Sequence, residues 1–346
     1  MNEYLISHKP PKSPLCIQSD SSAPSVFTTV PRGQLGNHLH VYALLVSLQA
    51  RYPARYFYLS SETTKYLRRY FRTEELLVDS VDSLCLCRTH RGVTSSPWEW
   101  TFWNTEFDVD FVEDIDREEM DQGQGWILWP DHGFLNNEFQ SGVKLLEDMD
   151  DKVRESLVFK DSFMEKAKQQ MNVSLAKWMS KNKKRVKRNR ITASNVTFIG
   201  IHHRRGDHLN YERVMKIPHI TLGYLGPSMD LYRAKYKTVV FIYVSDDKEW
   251  AKQHMTRDKD VIFSWSSSNR VLATGEDLAL LSLCNHTIMT RGTFSFWASK
   301  LAGGSYIRPC MLENTATRVE KEKRRGRPWP LNPLDRRWQT SLWRDC

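Results

Sequence analysis

From Asn195 onward the chain alternates short, wholly apolar runs of strand length with segments of helical pattern, and few folds accommodate that alternation. Val196–Ile201 (VTFIGI), Thr238–Val244 (TVVFIYV), Asp260–Trp265 (DVIFSW) and His286–Thr290 (HTIMT) read as strands, and a fifth begins at Tyr306-Ile307. Met229–Tyr236, Lys248–Met255, Glu276–Cys284 and Thr293–Leu301 read as the intervening helices, the third with its acidic residues expected in the first turn. Strands that are apolar at every position are buried on both faces. The expectation is therefore an α/β fold in which the C-terminal parallel sheet carries helices on both faces, a Rossmann-like domain.

The first half is less regular. Ser25–Val30 reads as a strand, and Gly33-Gln34-Leu35-Gly36-Asn37-His38 turns into an apolar helix ending near Ala50. Tyr56–Leu59 and Trp126–Trp129 read as further strands, Thr63–Phe71 as a helix, and Val143 to about Lys181 as largely helical. The expected organisation is a polar segment over 1–24, an N-terminal α/β domain over 25–185, the Rossmann-like domain over 190–310 and a basic tail over 311–346.

Composition narrows the function classes. With 346 residues, 40% hydrophobic and 12% aromatic, the chain has ample core, which excludes disorder as the main reading. No window approaches the roughly 18 consecutive apolar residues of a membrane helix, and the first thirty residues show no signal-peptide core. The six cysteines form no CxxC pair, so a zinc site is not expected. The net charge of +9 favours anionic partners. Much of the excess sits in the runs 181–190 (KNKKRVKRNR) and 321–327 (KEKRRGR), which lack apolar periodicity and read as solvated linkers or tails. No nucleic-acid partner is expected, because the remainder is close to neutral.

Ligands of open parallel sheets bind at the carboxyl ends of the strands. The first strand of the second half ends in His202-His203-Arg204-Arg205-Gly206-Asp207. Arginine pairs with phosphate through two parallel hydrogen bonds and stays charged at any working pH, so Arg204 and Arg205 beside His202 point to an anion site. The competing reading is an internal ion pair of one arginine with Asp207. The fourth strand ends in Thr290-Arg291-Gly292-Thr293-Phe294 and opens a helix whose start can take an anion; the plainer reading is a Thr N-cap. Together the two ends imply a pyrophosphate, hence a nucleotide or nucleotide-sugar. The D-x-D triplets Asp108/Asp110, Asp114/Asp116, Asp148/Asp150 and Asp258/Asp260 do not follow clear strands, which argues against a metal role.

Three segments resemble the alpha-1,2-fucosyltransferases of glycosyltransferase family 11. They are G-Q-L-G-N-H at Gly33–His38, I-H-H-R-R-G-D at Ile201–Asp207, and the long block from DLALLSLCNHTIMT to GTFSFWASKLAGG at Asp277–Gly304. The resemblance implies a GT-B-type architecture of two Rossmann-like domains facing a cleft. It implies an inverting transfer of L-fucose from GDP-fucose to the 2-hydroxyl of a galactose-terminated glycan, with no cofactor and no metal. Within the same resemblance Arg204, Arg205, Thr293 and Phe294 would contact the donor, with Ser245 and Asp277 as guanosine contacts. Arg204, Asp207 and His202 would be the catalytic candidates, the base being Asp207 or His202, and Gly33, Gly36 and Asn37 would form a first-domain loop. A GDP-fucose transferase of another linkage (core or protein O-fucosylation) and an inactive nucleotide-sugar-binding homologue are the alternatives. The family also implies a glycoprotein of the Golgi membrane and lumen, its membrane partner reached only through an anchor not visible in this sequence. Departures from the family pattern are Gln34, His38, Ser295 and Arg291, the last at an apolar family position.

Overall fold

The computed structural model describes residues 26–29, 33–51, 53, 56–78, 80–81, 125–128, 150–214, 218–255 and 259–309. The chain divides into two compact units, Met1–Lys160 and Asp161–Cys346.

In the first unit β1 (Val26–Thr29), β2 (Tyr56–Ser60), β3 (Ser80–Val81) and β4 (Gly125–Leu128) form a parallel sheet in the order β3-β2-β1-β4. Helix α1 (Leu35–Arg51) follows β1; Leu35, Leu39, Val41, Leu45 and Leu48 along it are all wholly buried. Ser60 ends β2 and caps α2 (Ser61–Leu67), its hydroxyl accepting from the Thr63 amide at 3.2 Å. The Tyr42 hydroxyl on α1 meets Ser156 of α3 (Asp150–Ser156) and accepts from the Leu77 amide at 3.1 Å. The buried Tyr42 hydroxyl thus finds partners across the core instead of being left unpaired.

The second unit opens with α4 (Asp161–Lys181) and α5 (Lys183–Asn189). There follow β5 (Thr197–His203), α6 (Gly206–Val214), α7 (Leu222–Lys235), β6 (Val239–Ser245), α8 (Lys248–His254) and β7 (Val261–Phe263). The unit closes with α9 (Arg270–Ser282), β8 (His286–Ile288), α10 (Thr293–Ala302) and β9 (Tyr306–Ile307). Its sheet is parallel throughout, in the order β7-β6-β5-β8-β9. Every residue of β6 is buried, as the unbroken apolar run requires. Ile199, Ile201, Phe241, Tyr243 and Ile288 share one core with Leu225, Met229 and Tyr232 of α7. Order reverses at β5, with β6 on one side and β8 on the other. Right-handed crossovers then put the helices before and after that reversal on opposite faces.

Several local expectations need correction. Helix α4 belongs with the second unit: it packs against α9, and Gln170 brackets the backbone of Trp265, donating at 3.2 Å and accepting at 2.9 Å. The basic run expected to be a linker contains α5, which ends on Arg190 in the left-handed conformation (φ 50°). Helix α7 starts at Leu222 behind its cap Thr221 and contains Pro227, whereas the sequence placed its start near Met229. Leu225 in its first turn is wholly buried, so packing holds a turn that the proline alone would discourage. Helix α9 starts at Arg270 behind Asn269, not at Glu276, so its first turn carries no acidic residue. Glu276 instead lies buried mid-helix, accepting from the Ser267 amide at 2.7 Å and facing Lys166 at 3.2 Å. The tail over 311–346 and the D-x-D triplets at 108–116 lie outside the described residues, while Asp260 is engaged by both Nε and Nη2 of Arg233.

Candidate functional site

In open parallel sheets a reversal of strand order marks the strand ends where ligands bind, and two polar segments stand at the carboxyl ends of β5 and β8. Arg204 and Arg205 occupy the link from β5 to α6. Thr290 to Gly292 form the turn from β8 to α10. The ring of His202 meets that of Phe294 with 4.6 Å between centroids, so the two segments touch.

Neither arginine stands alone. Arg204 grips Asp207 with Nε at 2.8 Å and Nη2 at 2.5 Å. Arg205 donates Nε to Asp247 at 3.0 Å and lies 4.2 Å over the ring of Trp250. Asp246 accepts the amides of Arg205 at 2.8 Å and Gly206 at 3.1 Å, taking the first N–H groups of α6. The competing ion pair of one arginine with Asp207 is therefore present at Arg204, while Arg205 pairs with Asp247, a partner the sequence reading did not name. The side chain of Asp207 is 67% exposed and that of Asp247 35%. The Arg204–Asp207 pair is a surface pair of the kind that contributes roughly 0–1 kcal/mol, whereas the Arg205–Asp247 pair is part-buried, with the Arg205 side chain 12% exposed.

His202 and His203 are neutral at pH 7. Burial, then the nearby charge of Arg204, pushes His202 down to about 3, and its Nδ1 has no hydrogen-bond partner among the described residues. His203 falls to about 4 through burial and Arg205, and its Nδ1 meets the Tyr243 hydroxyl at 2.6 Å. Hydrogen bonding from Arg204 holds Asp207 below the usual carboxylate range, which makes it a weak proton acceptor while that pair lasts.

Gly292, at φ 102°, is the N-cap residue of α10. The expected Thr cap is thus displaced by one position: Thr293 is the first helical residue. Helices α7, α8 and α9 are capped by Thr221, Asp247 and Asn269, whereas no side chain caps α10. Ser295 reaches back to the Thr290 amide at 2.8 Å, and the buried Thr290 hydroxyl has no partner among the described residues. A helix start without a capping oxygen is a place where anionic oxygen is stabilised.

A second polar group sits beyond β6 and β7. Ser245 ends β6, and its hydroxyl accepts from the Asp247 amide at 3.0 Å, shaping the turn that holds Arg205. Asp277 on α9 faces Lys248, Ser264 and Ser266; burial pushes its carboxyl up to about 7 against the pull of Lys248. Both hydroxyls favour its charged form, but Asp277 Oδ1 and Ser264 Oγ make no formed hydrogen bond, and Lys248 donates to Ser266 at 3.2 Å.

In the first unit Gly33 turns the chain at φ 101°, and a β-carbon there would collide with Asn37 Nδ2. Gly36 is buried in the first turn of α1. Two of the four departures from the family pattern converge on one ring: Tyr66 donates to Gln34 at 3.1 Å and stacks on His38 at 4.1 Å.

Comparison with known proteins places this geometry. The sequence profile of glycosyl transferase family 11 matches residues 152–329, just over half of the chain. The chain belongs to glycosyl transferase family 11. It is 27% identical to galactoside alpha-(1,2)-fucosyltransferase 1 of Saimiri boliviensis boliviensis over 300 residues, which cover 86% of this chain and 71% of that protein. Against the Sus scrofa protein of the same name it is 46% identical over 118 residues, or 32% of this chain and 30% of that protein. Among solved structures, an Arabidopsis thaliana FUT1 variant in complex with GDP matches with TM-score 0.51 at 13% identity, covering 86% of this chain and 72% of that one. The fucosyltransferase NodZ from Bradyrhizobium matches with TM-score 0.50 at 13% identity, covering 84% and 96%. At such identity these two share the α/β fold.

The family 11 match takes in both strand-end segments and Asp277; the Gly33–His38 loop lies outside it. The residues that sequence reasoning left without a role are Asp246, Asp247 and Trp250, which set the backbone and side chain of Arg205. Their signal was the S-D-D that closes an apolar strand. Among the described residues of this family 11 chain, no helix is long and apolar enough to cross a membrane.

Proposed function

We propose that this glycosyltransferase moves L-fucose from GDP-fucose to the 2-hydroxyl of a galactose on a glycan acceptor, with inversion. The observation that carries the reading is the ring contact of His202 with Phe294, which brings the end of β5, just ahead of Arg204 and Arg205, against the first turn of α10 beside the reversal of strand order. A diphosphate there faces fixed positive charge and a helix terminus in place of water. In the transfer, the bond from fucose C1 to the phosphate oxygen breaks as the acceptor oxygen attacks C1 from the opposite side. The electron pair leaves on GDP, where the guanidinium groups stabilise it. The acceptor proton passes to a carboxylate or imidazole within reach. Asp207 acquires that basicity when the diphosphate draws Arg204 away from it; the neutral His202 is the other candidate.

Guanine presents N–H donors on its pairing edge, and ionised Asp277 is the complementary acceptor near the ends of β6 and β7. Arginine charge takes the part that a divalent ion plays elsewhere, so activity is expected to survive a chelator. Action in the Golgi lumen on glycan acceptors belongs to the same reading. The test is incubation with GDP-fucose and a panel of lactose-type, N-glycan-core and peptide acceptors, followed by linkage analysis. Product formed only on a core GlcNAc or on peptide Ser/Thr would replace the galactoside reading. GDP-fucose binding without turnover on any acceptor would make the chain a non-catalytic binder, a reading favoured by the pairing of Asp207 with Arg204.

A further inference from the structure

Arg291 stands in the turn between β8 and α10 with its side chain 11% exposed. Its Nη1 donates to Glu212 Oε1 at 2.8 Å and to the Pro218 carbonyl at 2.7 Å. Glu212 lies on α6 with its side chain 4% exposed, and its other oxygen meets His219 Nδ1 at 2.7 Å. The buried Arg291–Glu212 pair therefore fastens the turn after β8 to the helix after β5. A second contact lies alongside it, because a β-carbon on Gly292 would come within 3.0 Å of His208 Cε1.

Burying two opposite charges is a poor route to stability, since apolar residues of similar volume often hold as well. What such a pair adds is a single relative placement of the elements it joins. Arg204 and Arg205 immediately precede α6, and Thr293 immediately follows Gly292. We propose that Arg291 is a positioning residue of the donor site, setting through Glu212 the separation between the arginine pair and the start of α10. The kinetic consequence rests on the GDP-fucose reading; the tie itself rests on geometry alone.

The test compares R291M with the double variant E212M/R291M in the full chain. R291M leaves Glu212 buried without its arginine partner, so its melting temperature should fall. The double variant removes both charges and should regain most of that loss. In both, GDP dissociation constants and KM for GDP-fucose should rise about tenfold or more, with KM for the acceptor unchanged. Amide exchange over residues 205–210 should quicken in both. R291K, which keeps the charge on Glu212, should recover part of the donor affinity. A double variant with restored melting temperature, wild-type GDP affinity and wild-type exchange would overturn the proposal, leaving Arg291 a packing residue. A wild-type chain that does not bind GDP would sink the donor reading instead; unchanged exchange would then still refute the tie.

Discussion

His202 and Phe294 stand ring to ring, 4.6 Å between centroids, joining the end of β5 to the first turn of α10. Phe294 covers an imidazole that burial and Arg204 already keep neutral. The contact brings together two segments far apart in sequence, and most of the functional expectations turn on that meeting.

Replacing Arg204 by Lys keeps the charge and loses the two-pronged geometry now spent on Asp207. Turnover with GDP-fucose should fall roughly 100-fold, as for loss of one aimed donor at a transition-state oxyanion. Folding should be intact, because the pair it breaks is exposed. Steady-state rates alongside a thermal melt check this; near-normal turnover removes Arg204 from the donor site.

The buried histidines make stability fall in mild acid. His202 at about 3, with His203 and His38 at about 4, all lie below the unfolded value of 6.5. Between those limits the unfolded chain binds more protons than the native one, so stability rises with pH. Each group contributes a slope of up to about 1.4 kcal/mol per pH unit. Melting temperature should drop as pH falls from 6.5 towards 4. His202→Phe should flatten the curve in that range, measured by calorimetry across pH; an identical curve in the variant contradicts the assignment.

Asp277 sets a different pH dependence. Its carboxyl, raised to about 7, loses its charge as pH falls through neutrality. If that charge meets the guanine edge, GDP affinity should weaken below pH 7 and level off above it. Asp277→Asn should bind GDP weakly and without this inflection. A wild-type profile in the Asn variant would move the base contact elsewhere.

Gly292, at φ 102° and ψ 152°, holds a conformation that is essentially glycine's alone and costs other residues about 1–3 kcal/mol, and a β-carbon there would press on His208. Gly292→Ala should therefore lower stability by about 1–3 kcal/mol and weaken donor binding. Urea unfolding and GDP titration measure the two effects. Unchanged stability would show that this turn is not strained.

The second sheet was readable because β5 and β6 are buried on both faces, which leaves an unbroken apolar run. Helix starts were less readable. Val271 and Leu272 in the first turn of α9 are 42% and 45% exposed, so no apolar stripe announces them. The strand-end arginines were legible as charge following a buried strand, but their partners were not. Asp246 and Asp247 reach Arg205 only because β6 lies beside β5. The pairing of Arg291 with Glu212 was hidden for the same reason, each being placed by a different strand-to-helix turn.

The most direct test is calorimetric titration of the full chain with GDP and with GMP in the presence of a chelator. A site built from Arg204, Arg205 and the start of α10 should bind GDP about tenfold or more tighter than GMP, a gap of about 1.4 kcal/mol or more. That advantage should vanish in the R204A/R205A double variant. Equal affinity for the two nucleotides, or an advantage that survives loss of both arginines, would contradict the account.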